Sequence, residues 1–253
     1  WRELAPESDE ATQFFLGFVV LTDKIEEAEP IFAQRIEAAP PGSRGVALFQ
    51  TQQILSRAND KLYAYSMLVR LMEPYQDMFE THLVLSQGAL SIGERERAIA
   101  EANKALRMKP ASELAVLTLA QVTGEPEAAN KVLADFLAKN PDAVEVRAAY
   151  ARLLVEQKQL EPARTHFLAL LKSQPDNVAG LYALGIVSLQ LEDAKGAEQY
   201  FKRQDEMAKL FADEMSFRVV DRVLQIHGGI GLTLDLPLAK WFVDQRSRMI
   251  TEG

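Results

Sequence analysis

Three histidines, His82, His166 and His227, are the side chains here best suited to proton transfer or metal ligation near neutral pH. They lie 84 and 61 residues apart, and none sits in an HExxH or comparable ligand spacing. Each is therefore expected to be a helix-surface or packing residue. Gly229-Ile230-Gly231 has the look of a phosphate loop, but it follows a helical pattern rather than a strand. It also lacks the third glycine and the Lys-Ser/Thr that a nucleotide site needs, so none is expected. The acidic runs from Asp23 to Glu29 and from Glu94 to Arg97 have no calcium-loop spacing and read as exposed helix starts. With no cysteine, disulfides, thiolate metal sites and cysteine nucleophiles are excluded.

Composition points the same way. The 253 residues are 48% hydrophobic and 25% charged, ordinary for a globular chain of one or two domains. Alanine, leucine, glutamate and glutamine, all good helix formers, dominate. A net charge of -8 argues against a nucleic-acid partner, which would require a basic face. No apolar run approaches the roughly 20 residues of a membrane span. The compartment is left open.

What recurs in the sequence is packing, not chemistry. Ala28, Ala64, Ala98, Ala129, Ala163 and Ala197 are spaced by 36, 34, 31, 34 and 34 residues. Leu16-Gly17, Leu119-Ala120, Tyr150-Ala151 and Leu184-Gly185 precede four of them, and Phe167 and Phe201 follow two of them by four residues. Prolines recur at Pro6, Pro40, Pro74, Pro110, Pro141 and Pro175. Small residues suit close helix crossings, the aromatic fills the space beside them, and proline ends the second helix. The 31-residue step is explained by Gly124-Glu125-Pro126, which shortens the preceding helix by about one turn. The second copy is the weakest, with Thr51-Gln52 at the small-residue position.

This pattern resembles the tetratricopeptide repeat (TPR) family, whose unit is about 34 residues of two antiparallel helices, A and B. The resemblance covers about residues 11–203 and implies an all-α, right-handed superhelix of about six hairpins plus a C-terminal helical pair. Residues 1–10 then read as the end of a preceding repeat, with Pro6 at its exit, which predicts a fragment of a longer array. Residues 11–205 form the array and 206–253 a separate cap. The resemblance also implies a concave groove lined by A helices that binds a protein or peptide segment, with self-association as the alternative. Taking helix A positions 2, 5, 9 and 12 places Phe14, Phe18, Phe49, Gln53, Arg57 and Leu83 in that lining. Gln87, Leu117, Gln121, Arg152, Tyr182 and Ile186 continue it. Only Arg57 and Arg152 are cationic among them, too far apart for a clamp on a carboxylate.

After Phe201 the register fails, since Lys209 stands where an exit proline is due. Gln225-Ile226-His227-Gly228-Gly229, Asp235-Leu236-Pro237, Trp241-Phe242 and the final Glu252-Gly253 follow. This segment resembles the C-terminal part of acyl-CoA dehydrogenases. The resemblance implies a flavin-contacting turn at Gln225, Gly228 and Gly229, and a proton-abstracting base at Glu252. The remaining domains of that family have no counterpart in the residues already assigned to repeats. No flavin, no other cofactor and no catalysis are therefore expected. The segment is read instead as an amphipathic helix from Met207 to His227 and a second helix capped by Asp235. In that reading Leu210, Phe211, Phe217 and Leu224 dock on the last repeat.

Overall fold

A computed structural model describes residues 8–22 and 24–227. Among them stand twelve α-helices and no strand. In chain order they are α1 Asp9–Val19, α2 Glu29–Ala38, α3 Arg44–Leu55, α4 Lys61–Met72, α5 Phe79–Ser91 and α6 Arg95–Met108. α7 Glu113–Thr123, α8 Pro126–Lys139, α9 Val144–Glu156, α10 Leu160–Ser173, α11 Val178–Gln190 and α12 Ala194–His227 follow. Taken in pairs these are six helical hairpins, at the register read from the alanines. None of the described helices is long and apolar enough to cross a membrane.

Short polar residues start many of these helices. Ser8 Oγ, Asp60 Oδ1, Ser112 Oγ, Asn177 Oδ1 and Asp193 Oδ1 accept hydrogen bonds from the backbone N–H three residues on, at 2.8–3.2 Å. Prolines end them. α2, α4, α6, α8 and α10 each stop two residues before Pro40, Pro74, Pro110, Pro141 or Pro175. The ring of proline disfavours helical geometry in its predecessor, and Ala39, Lys109, Asn140 and Gln174 leave it, while Glu73 stays helical and leads into a short 3-10 turn over Glu73–Tyr75. α12 meets no such proline and runs on for 34 residues to His227. Gly124, at φ +75°, closes α7 in the left-handed region, where glycine carries no Cβ penalty. α7 has 11 residues where α5 has 13, shorter by two residues rather than by the full turn expected.

The chain divides into two compact units, Trp1–Val146 and Arg147–Gly253. In the first, Leu16, Phe32, Ile36, Leu48, Met67, Leu68, Met72 and Val84 form a buried core. α5 packs against α3, α4, α6 and α7. Six consecutive residues, Thr81 to Ser86, are buried as a result. In the second unit, Ala163, Phe167, Leu170, Leu181, Leu184 and Val187 are buried where α10, α11 and the start of α12 meet. All six repeat alanines, from Ala28 to Ala197, are buried, which is why no larger residue stands there.

The glycines separate into two kinds. A Cβ on Gly185 would lie 2.5 Å from the Phe201 ring, so α11 and α12 approach as closely as glycine allows. A Cβ on Gly17 would meet nothing within 4 Å. Gly17 therefore marks open space rather than the close crossing expected for it. At the C-terminal end, Leu210 and Phe211 are exposed, so they do not dock on the last repeat as expected. The side chains of Phe217 and Leu224 lie outside the described residues. So do Trp1 to Pro6, Asp23, and the tail from Gly228 through Asp235 and Trp241 to Glu252.

Candidate functional site

Within the first unit, α1 turns Leu16, Val19 and Val20 into the core. Its helical phase leaves Phe14 and Phe18 outside, at 63% and 69% exposure. One residue earlier in each case, Gln13 and Gly17 line a cleft of about 280 Å³. Phe32 and Arg35 of α2 and Gln53 and Arg57, at and just beyond the end of α3, line the same cleft. The open space over Gly17 is part of it.

The expected groove residues separate accordingly. Phe14, Phe18, Gln53 and Arg57 are exposed at or beside the cleft, and Gln121 of α7 is exposed elsewhere in the unit. Gln87 and Leu117 are half-buried. Phe49 is also half-buried, but it packs against the cluster of Phe79, Leu83, Ala105 and Ala115 and thus supports the core. Leu83 is fully buried and is removed from the lining. Its position in the repeat places it on the inner face, but α5 is enclosed by four helices and keeps little inner face to offer. In the second unit, Arg152 and Tyr182 are exposed and Ile186 is half-buried. The Tyr182 ring stands 5.9 Å from that of Phe201.

Gln13, Gly17 and Arg35 were not legible as site residues. Arg35 belongs to a second helix, and the lining rule considers first helices alone. Its reach past Phe32 into the cleft depends on how α2 crosses α1 and α3, which no spacing in the sequence encodes.

His82 and His166 take structural places, and the side chain of His227 lies outside the described residues. His82 is buried, with Nδ1 2.6 Å from Glu101 Oε2 and Nε2 3.0 Å from the Gln76 carbonyl oxygen. Lys104 donates to the other Glu101 oxygen at 2.8 Å. Burial alone would push the Glu101 carboxyl up, but hydrogen bonds from Lys104 and His82 outweigh it and hold the group below the usual carboxylate range. The trio ties α5 to α6, as does Ser86 Oγ, which donates to the Ala98 carbonyl at 2.8 Å. His166 lies edge-on to Tyr150, ring centroids 4.8 Å apart. Burial and then the Arg147 charge lower its pKa below the ordinary histidine value. Among the described residues no three His, Asp or Glu side chains converge as a metal-ligand group.

Of the residues implied by the dehydrogenase resemblance, Gln225 contributes described backbone alone, in the last turn of α12. Gly228, Gly229 and Glu252 lie outside the described residues.

Comparison with known proteins finds two families in the chain. Residues 123–185 match the tetratricopeptide repeat. Residues 177–253 match the C-terminal domain of acyl-CoA dehydrogenase, which takes in the sixth hairpin as well as the tail. The mitochondrial isobutyryl-CoA dehydrogenase of Dictyostelium discoideum is 34% identical over 102 residues, 38% of this chain and 24% of that protein. The chain thus spans about a quarter of the length of the curated relative it matches. Among solved structures, a crystal structure of MamA superposes with a TM-score of 0.50 at 18% identity, covering 60% of this chain and 91% of that one. A second MamA structure gives 0.50 at 17%, covering 68% and 95%. At such identities these two establish likeness of fold alone. The chain is an all-α helical-repeat protein that matches the tetratricopeptide repeat over residues 123–185 and the C-terminal domain of acyl-CoA dehydrogenases over residues 177–253.

Proposed function

We propose that this chain is an interaction scaffold that binds a polypeptide segment along its first-helix faces and performs no catalysis of its own. One observation carries the reading. On α1 to α11 the exposed aromatic side chains are Phe14, Phe18 and Tyr182, all on the first helix of their hairpins, while Phe32, Tyr65, Phe136 and Phe167 of the second helices are buried. Leaving large rings in water forgoes roughly 25 cal/mol for each Å² of apolar surface, so their concentration on one class of helix suits a surface that a partner covers. Exposed Gln53, Arg57 and Gln121 add amide and cationic donors, which fits an extended or helical segment with some apolar surface. The net charge of -8 supports a protein partner over a nucleic acid. The dehydrogenase match is to the C-terminal domain of that family alone, and the chain spans about a quarter of the isobutyryl-CoA dehydrogenase it resembles.

The test is capture of partners from the source proteome, followed by Phe14→Ala with Phe18→Ala. The expected outcome is loss of capture with an unchanged far-ultraviolet circular dichroism spectrum. Retained capture would refute the surface, and purified protein carrying a flavin absorption band would refute the absence of cofactor.

One observation favours a second reading, self-association. Leu210, Phe211, Met215 and Val219 of α12 are exposed at near-helical spacing, an apolar stripe without cover among the described residues. Concentration-dependent sedimentation that disappears in Phe211→Glu with Met215→Glu supports that reading. A monomer at all concentrations dismisses it.

A further inference from the structure

We propose that the exposed face of α12 is a two-fold interface, covered by the antiparallel α12 of a second copy of this chain. The proposal rests on the self-association reading and adds to it the direction of the partner helix and the place of the axis. At roughly 100° per residue, Ala197, Phe201, Ala208, Phe211, Met215 and Val219 fall within about 40° of one line along α12. Burial changes along that line. Ala197 is buried, and Phe201 is half-buried against α11, where a Cβ on Gly185 would lie 2.5 Å from its ring. Ala208 is half-buried, and Phe211, Met215 and Val219 are 46%, 61% and 57% exposed. The stripe is therefore the packing face of α12 itself, continued past the helix that covers its beginning. Leu210 lies to the side of this line.

The cover ends at a definite place. Arg203 donates to the Pro175 carbonyl oxygen at 2.9 Å, in the turn that leads into α11. From there α12 continues to His227, roughly 35 Å at 1.5 Å per residue. A helix that takes over from α11 on this face runs antiparallel to α12, as α11 does. The same stretch of a second copy meets that need, because its midpoint and that of the stripe coincide. Residues 204–227 are centred between Met215 and Ser216, and Phe211, Met215 and Val219 are centred on Met215. A two-fold axis there lays each stretch along the other, and each ends where the other copy's α11 begins. Such an isologous contact covers both stripes at once. Charge selects the same direction. Asp205, Glu206 and Glu214 lie toward the start of the stretch with Lys209, and Arg218 and Arg222 toward its end with Asp221. Within the helix Lys209 pairs with Asp205 and Arg218 with Glu214. Antiparallel copies set the basic end beside the acidic one. Parallel copies set Arg222, which is on the same line as Met215, beside its own counterpart.

The chain has no cysteine, so single cysteine substitutions of the full chain carry the labels. Sedimentation is expected to show a monomer–dimer equilibrium. Met215→Glu, which brings two carboxylates together at the axis, is expected to raise the dissociation constant at least about tenfold with an unchanged circular dichroism spectrum. Spin labels at Ser216→Cys are expected within about 25 Å of each other in the dimer, across one helix pair. Labels at Lys202→Cys are expected about 40 Å apart or more, since each residue away from the axis adds roughly 1.5 Å on both copies. Equal distances at the two positions describe a parallel pair, and they overturn the proposal while leaving self-association in place. A dimer that survives Met215→Glu overturns the stripe as its interface. A monomer at every concentration removes the self-association reading and the two-fold interface together. If Met215→Cys in that monomer also resists a thiol reagent, residues after His227 of the same chain cover the stripe instead.

Discussion

Replacing His82 by leucine removes one partner from a buried hydrogen bond to a carboxylate. In the parent, Nδ1 of His82 is 2.6 Å from Glu101 Oε2, and the two side chains are 8% and 10% exposed. The substitution leaves Oε2 of a charged carboxylate in that interior, with Lys104 on the other oxygen as its remaining support. It also leaves the Gln76 carbonyl without the ring nitrogen that faced it. A fully uncompensated buried charge would destabilise by about 3–5 kcal/mol, but Lys104 still pairs with the carboxylate, so the expected loss is about 1–3 kcal/mol, that of buried polar groups left without a partner. Replacing both partners with apolar groups of similar volume is often close to neutral. His82→Leu with Glu101→Met is therefore expected to recover most of the loss. Urea unfolding followed by circular dichroism at 222 nm measures all four corners of the cycle. The pH dependence supplies a second check. Glu101 is held below the usual carboxylate range, so its stabilisation is fully present above the unfolded carboxylate value of about 4.5. It is lost as pH falls from there through the lower folded value, and this component is expected to be absent in the double variant. A loss under about 1 kcal/mol for His82→Leu, or a double variant no better than the sum of the singles, would refute the reasoning.

Gly185→Ala places a Cβ 2.5 Å from the Phe201 ring and is expected to destabilise the second unit by about 1–3 kcal/mol in the same urea assay. Gly17→Ala meets open space within α1 and is expected to stabilise by about 0.5–1 kcal/mol. His166 has a lowered folded pKa, so its contribution is complete above the unfolded value of about 6.5 and falls as pH drops below it. His166→Gln is expected to flatten that stretch of a stability-against-pH curve. Deleting Met207 to Gly253 removes an exposed apolar stripe, so it is expected to reduce concentration-dependent sedimentation, and unchanged sedimentation would refute the stripe as a self-association surface.

The hairpin register was legible because it rests on local rules. A buried alanine recurs in every second helix, or just ahead of it at Ala28, and a proline follows the end of the first five of them by two residues. The absence of that proline after Pro175 likewise foretold a helix running past position 209, and α12 does so. Exposure was not legible in the same way. Helical phase assigns Leu83 to an inner face, but whether that face meets solvent depends on neighbours, and α3, α4, α6 and α7 enclose α5. The same holds for Phe49, which a phase argument puts beside Gln53 but which packs on Phe79 and Leu83. Pairings across helices lay further out of reach. His82 and Glu101 are 19 residues apart yet in contact, and Arg35 and Arg57 are 22 apart yet line one cleft. Sequence by itself determined the register of the hairpins, the exits before the prolines and the burial of the repeat alanines, since these follow from backbone sterics and close packing. The tertiary structure decided which side chains stay in water and which charges share a cavity, because both depend on the distances between helices rather than on the periodicity within one.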